Sequence, residues 1–129
     1  ERLEVKNEKI RKGLSKYIWG GKDVIQKKEP ELLSMRQNVE DYDRIIIGTP
    51  VWASSFAPAI RTFINQNPIY DKEVAFFCTH AGGVGHTMKD FEEALKDNKI
   101  IGELELVNVL KNMEESKEKI IDWVEEFNY

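Results

Sequence analysis

Cysteine is almost absent from this 129-residue chain, with Cys78 alone. That excludes an intrachain disulfide and makes a reducing cytosol the simpler compartment. Histidine is nearly as scarce, represented only by His80 and His86. These two and Cys78 sit close together but lack a fourth partner at paired spacing, so no zinc site is expected. No apolar run approaches the roughly 20 residues of a membrane-spanning helix, and no signal peptide opens the chain. Excess positive charge is missing too: the net charge is −4, which argues against wholesale binding to nucleic acid. The balance is uneven. Through Arg36 ten Lys/Arg stand against six Asp/Glu, and afterwards nine stand against seventeen. The basic first third reads as a solvated face, with a docking surface for an acidic partner as the alternative. An initiator Met is also lacking, since the chain opens on Glu1; a processed protein, a single domain or a piece of something longer is expected.

What is present fits one globular domain spanning Glu1 to Tyr129, with 41% hydrophobic and 33% charged residues. Ile45-Ile46-Ile47 predicts a strand over Arg44–Gly48 that is buried on both faces, as in a parallel sheet flanked by helices. Thr49 to Ala57 reads as a loop, and Pro58 suits the first turn of a helix striped by Ile60, Phe63 and Ile64. Val74–Cys78 is a second buried strand, followed by a glycine-rich loop from Thr79 to His86. Thr87 is a candidate N-cap with Asp90 as its acidic partner, opening a helix lined by Met88, Phe91, Ala94 and Leu95. Gly102–Val109 holds a third strand. Glu114–Phe127 is a last helix whose inner face is Ile120, Ile121, Val124 and Phe127; its many carboxylates read as a solvated face. At the front, Glu1–Lys6 alternates like a short strand, and Lys9–Lys28 reads as helical pieces broken near Trp19-Gly20-Gly21.

Strands alternating with helices predict an α/β fold with a parallel sheet. In such sheets ligands lie in the crevice beyond the carboxyl ends of the strands. Gly48-Thr49-Pro50-Val51-Trp52 places an indole there, and a flat aromatic suits a flat ligand. Cys78 before a glycine loop loosely resembles cysteine sites that bind phosphate with backbone amides. No Arg follows within the loop, however, and a buried cysteine acting as a small hydrophobe is the simpler reading.

Asp41-Tyr42-Asp43-Arg44-Ile45-Ile46-Ile47-Gly48-Thr49-Pro50-Val51-Trp52, followed by Pro58 and Phe63, resembles the third-strand region of flavodoxin-like proteins. Val74-Ala75-Phe76-Phe77-Cys78-Thr79, followed by Gly82-Gly83, resembles the fourth strand and flavin-side loop of the same family. The resemblance implies a flavodoxin-like three-layer sandwich with a reduced, mostly parallel sheet. It implies FMN held with Thr49, Pro50, Val51 and Trp52 on one side of the ring. Thr79, His80, Ala81, Gly82 and Gly83 would line the other. The redox chemistry would belong to the flavin, with no catalytic side chain of the protein's own. The implied activity is cytoplasmic electron transfer or reduction of a small acceptor, with a redox partner protein or small molecule as the counterpart. No nucleic acid or membrane is expected among its partners.

The chain departs from the family pattern at its start. Glu1 aligns with the second strand, so the first strand and the Ser/Thr-Gly-rich loop that wraps the phosphate have no counterpart. Omitting a strand from the middle of a 2-1-3-4-5 sheet leaves a gap of about 10 Å between its neighbours. Direct pairing of the Leu3 and Ile45 segments, a shifted strand, a second copy of the chain or a longer native N-terminus are the expected ways to close it. Tyr17 and Trp19-Gly20-Gly21 are expected to cap the crevice, fill that gap or build a homodimer contact. The alternative function is a cofactor-free interaction or dimerisation module on the same fold.

Overall fold

The computed structural model describes residues 1–6 and 29–127, so the pieces expected over 9–28, with Tyr17 and Trp19-Gly20-Gly21, lie outside the described residues. The sheet is built from β1 (Arg44–Trp52), β2 (Ser55–Phe56), β3 (Glu73–His80) and β4 (Lys99–Val107), in the order β2-β1-β3-β4. β1, β3 and β4 are parallel, and β2 folds back antiparallel on the end of β1. Among the described residues three α-helices complete the alternation: α1 (Pro58–Gln66), α2 (Thr87–Ala94) and α3 (Met113–Glu126). This is the three-layer α/β architecture that the flavodoxin resemblance implies.

One face of the sheet holds the main core. Alternation along the strands turns Ile47, Val74, Phe76 and Cys78 to the same side, where Ile60 and Phe63 of α1 and Phe91 and Leu95 of α2 cover them. Phe91 stacks on Phe76 at 4.7 Å between ring centroids and meets Phe56 at 5.0 Å. α1 begins where Pro58 predicts, with the proline in the first turn, where a missing N–H costs nothing.

The opposite face is covered only in part. Trp123 of α3 packs over Phe77, and with Phe127, just past the helix, against Gly102, but β1 has no such cover among the described residues. Ile46 is therefore 47% exposed while Ile47 is 5% exposed, and the expectation of a β1 buried on both faces is corrected. The last helix is also rotated from its predicted phase. Trp123 and Ser116 are buried, whereas Ile121 is 56% exposed and Ile120 also faces out. The bulky indole, which fits over the glycine of β4, takes the inner position.

β1 is longer than its apolar run suggests, because Thr49–Trp52 continue the strand instead of forming a loop. Beyond Pro50 its hairpin partner is β2, paired through Val51–Phe56 and Trp52–Ser55. Along Arg44–Pro50, β1 pairs only with β3 among the described residues. The Leu3 segment does not close the free edge. Val5 bridges Leu32 instead, with Lys6 N–H on the Glu31 carbonyl at 2.7 Å and Leu33 N–H on that of Glu4 at 2.7 Å. Between this ladder and β1 runs a groove of about 650 Å3, walled by residues such as Leu3, Met35, Ile45, Ile60 and Phe63. At the amino ends of the strands, Arg44, Glu73 and Lys99 are register neighbours, and Glu73 bonds to both cations. Arg44 first, and then Lys99, hold the Glu73 carboxyl below its ordinary range.

Gly48 lies under the Phe77 ring, where an added Cβ would come within 2.1 Å of ring carbon. Gly48→Ala is expected to push Phe77 against Trp123 and lower the unfolding free energy by about 1–3 kcal/mol, read by urea denaturation. An unchanged midpoint would mean that the ring moves aside freely.

Candidate functional site

The parallel register brings three strand ends to one edge. Pro50 lies beside Thr79, and His80 beside Val107. The carboxyl end of the sheet is thus flanked by the β1–β2 hairpin on one side and the loop after β3 on the other. That is the crevice in which open α/β sheets bind ligands.

The first wall is the end of β1. Thr49 is buried and its hydroxyl is spent internally, accepting from the Ala57 N–H at 3.0 Å and donating to the Pro50 carbonyl at 2.8 Å. This bond ties the end of β1 to the start of α1. Pro50 is exposed, Val51 is half-buried and Trp52 is 40% exposed. The chain then reverses through Ala53 and Ser54, both left-handed at φ 45° and 66°. Two left-handed residues in succession match the turn that suits a two-residue hairpin. The usual sequence signal, Asn-Gly or Asp-Gly, is absent, and that is why a loop is predicted there.

The second wall is the loop from Ala81 to His86. Ala81, Gly82 and Gly83 are exposed, and a Cβ at either glycine would meet nothing within 4 Å. Gly83 sits at φ +134°, a conformation that side chains disfavour. Thr79 is half-buried at the strand end. The His80 side chain is turned inward: its Nδ1 accepts from the Gly83 N–H at 3.0 Å and its Nε2 lies 2.6 Å from Glu105. A backbone N–H can only donate, so Nδ1 is unprotonated and Nε2–H donates to the carboxylate. His80 therefore shapes the loop through its ring and offers the crevice its backbone.

The two walls touch at their base through residues that sequence reading missed as a group. The His86 N–H donates to the Ser54 carbonyl at 2.8 Å. The buried Ser55 hydroxyl donates to Asp90 Oδ2, and His86 Nδ1 meets the same oxygen at 2.6 Å. The expected capping box at Thr87 and Asp90 is thereby replaced. His86 is the cap residue, the Thr87 hydroxyl donates to the Val84 carbonyl at 2.7 Å, and Asp90 serves the hairpin. Only the spacing of Asp90 from the loop was visible in sequence; its partner Ser55 comes from a segment read as loop.

A mostly parallel α/β sheet whose carboxyl strand ends are flanked by the Trp52 hairpin and a bare glycine loop belongs to the class of open α/β folds that bind ligands beyond those strand ends. Within it the assignment is specific: a flavodoxin family model matches residues 20–127, and the chain belongs to that family. The fold is similar to the crystal structure of a flavoprotein in complex with FMN from Lactobacillus acidophilus NCFM. The TM-score is 0.68 at 24% identity, over 94% of this chain and 76% of that one. It is also similar to the NMR structure of the apo-form of the flavoprotein from Lactobacillus acidophilus NCFM, with a TM-score of 0.58 at 27% identity over 84% and 74% of the two chains. No curated protein matches.

Cys78, on the strand between these walls, is fully buried beside Thr49 and Glu105 in register. Burial first, and then the Glu105 charge, push its thiol up to about 11. A group whose ionisation is held that high stays protonated at neutral pH, which is the opposite of an activated nucleophile. The native protein is expected to leave a thiol reagent such as Ellman's unconsumed at pH 8 and to react with one equivalent once denatured. Rapid native labelling would show that strand end to open.

Proposed function

We propose that the crevice binds the isoalloxazine ring of FMN, and that the protein works as an FMN-dependent electron carrier or reductase of a small acceptor. The reading is supported by membership of the flavodoxin family and by a flavoprotein of the same fold whose crystal structure contains FMN. The observation that carries it is the pairing of walls. An exposed indole at Trp52 stands on one side, and a loop without side chains, Gly82-Gly83, stands on the other. A planar aromatic ligand gains a stacking surface from the first and close backbone approach from the second. FMN when bound supplies the electron-accepting and electron-donating chemistry. Residues Pro50 to Trp52 and Ala81 to Gly83 hold and orient its ring. A redox partner protein or a small acceptor completes the proposal.

The described residues fit the ring better than the phosphate. Pro50 and the glycine loop leave room for a ring, but no helix start among the described residues offers a ready cradle for an anion. α1 opens on Pro58, which has no N–H. At α2, the His86 and Thr87 N–H groups already donate to Ser54 and Val84, and the Asp90 carboxylate in the first turn repels an anion. α3 carries Glu114 and Glu115 in its first turn, which repel a phosphate.

Titration of the purified chain with FMN and with riboflavin, followed by flavin fluorescence, tests the reading. Both flavins are expected to bind with similar affinity, because the ring supplies most of the contact. Trp52→Ala is expected to weaken both by up to about tenfold, the size of a good aromatic contact. A colourless protein that quenches neither flavin would overturn the redox reading and leave the cofactor-free interaction module. Much tighter binding of FMN than of riboflavin would locate a phosphate grip in this chain.

A further inference from the structure

The crevice has two walls on separate segments, and their separation decides whether a ring of fixed thickness fits between them. Trp52 belongs to the β1–β2 hairpin, and the glycine loop runs from Ala81 into the start of α2. Nothing in the β1–β3 ladder fixes the hairpin tip, because that pairing ends at Pro50 and Thr79. We propose that Asp90 is the positioning residue of the crevice: one carboxylate oxygen staples the hairpin to the end of the glycine loop and sets the distance between the walls. The statement about ring binding rests on the flavin reading above; the staple itself does not.

Four observations converge on it. The Ser55 hydroxyl, 2% exposed, donates to Asp90 Oδ2, and Ser55 is the register partner of Trp52. His86 Nδ1 lies 2.6 Å from the same Oδ2, and an ionised carboxylate can only accept, so the ring N–H donates. The His86 backbone N–H then closes the link on the Ser54 carbonyl at 2.8 Å. Gly85, at φ +57°, makes the approach feasible. A Cβ there would stand 2.5 Å from Ser54 Cα and 2.6 Å from its carbonyl oxygen. Behind this polar contact, the Phe56 and Phe91 rings meet at 5.0 Å, so the hairpin and α2 share apolar packing as well.

The consequence is a crevice set before the ligand arrives. A staple formed within the protein spends no ligand binding energy on ordering the walls, which is how preorganisation raises affinity. It acts on the ring and not on any phosphate, so it also makes a specific claim about ligand preference. Loosening it should weaken FMN and riboflavin by the same factor and leave their ratio unchanged.

The test compares wild type with Asp90→Ala, Asp90→Asn, Ser55→Ala and Gly85→Ala in two measurements. The first is amide hydrogen exchange at His86 in flavin-free protein, with β3 amides as the internal control for global stability. In Asp90→Ala and Gly85→Ala, His86 protection is expected to fall by about tenfold or more, the weight of one charge-assisted hydrogen bond, while β3 protection holds. Asn at 90 keeps an acceptor for Ser55 and should recover part of the protection. The second measurement is the affinity for both flavins, expected to drop about tenfold in the same two variants with the FMN-to-riboflavin ratio constant. Unchanged His86 exchange in Asp90→Ala would overturn the staple. Faster exchange with unchanged flavin affinity would show a staple that does not position the site, and would overturn the proposal too. Wild type that binds neither flavin would sink the flavin reading alone, because the exchange arm still decides whether Asp90 holds the walls. Should Gly85→Ala fail to fold, Ser55→Ala carries the same comparison from the hairpin side.

Discussion

The parallel pairing of β1 on β3, and of β3 on β4, is the constraint from which the rest of the molecule follows. It brings Pro50, Thr79 and the ends of β3 and β4 to a single edge of the sheet. Each strand must then cross back over a face to re-enter in the same direction, which is what α1 and α2 do. Both crossovers fall on one face, and that is where Phe76, Phe91 and Phe56 build the densest packing. The crevice lies beyond the strand ends because the loops that begin each crossover start there.

The same pairing leaves the other side of β1 with little to do. Among the described residues its second edge carries β2 only at Val51 and Trp52, and its outer face shows Ile46 and Gly48 to solvent. α3 is docked towards β3 and β4 because Gly102 and Phe77 make room there for Trp123. Along Ile45–Pro50 the edge of β1 away from β3 has no strand partner among the described residues, and it lies beside a groove walled by Leu3, Met35, Ile60 and Phe63. The small ladder of Val5 with Leu32 borders that groove without entering the sheet.

Much of this was legible in the order of residues, and the exceptions have common physical causes. Ile45–Ile47, Val74–Cys78 and Pro58 place their elements correctly, because buried β-branched runs and a proline in a first turn are local signals. The phase of α3 was not local. Of the four apolar residues expected to face inward, Phe127 does pack against Gly102, but it is joined there by the indole of Trp123, and Ile120 and Ile121 are left facing out. β1 was expected to be covered on both faces, because an apolar triplet cannot say how many helices lie above it. The hairpin was missed because Ala53 and Ser54 take left-handed backbone without the usual Asn or Gly. Its register is supported by contacts with Gly85, His86 and Asp90, more than thirty residues further on. The named wall residues were found through family resemblance; the groups that hold those walls carried no motif.

That division of labour says what kind of site this is. Polar side chains near the crevice are committed within the protein: Thr49 to Ala57 and Pro50, His80 to Gly83 and Glu105, and Ser55 and His86 to Asp90. Cys78 is buried and held protonated. Pro50, Trp52, Ala81, Gly82 and Gly83, exposed on the two walls, carry no titratable group, and the one exposed titratable side chain in the glycine loop, His86, is bonded to Asp90. A general base or nucleophile needs reach to its substrate; the side chains of His80 and Cys78 are turned inward, and that of His86 is engaged by Asp90. On the flavin reading proposed above, the walls hold a flat molecule and fix its surroundings. Chemistry done in such a crevice comes from the molecule it holds.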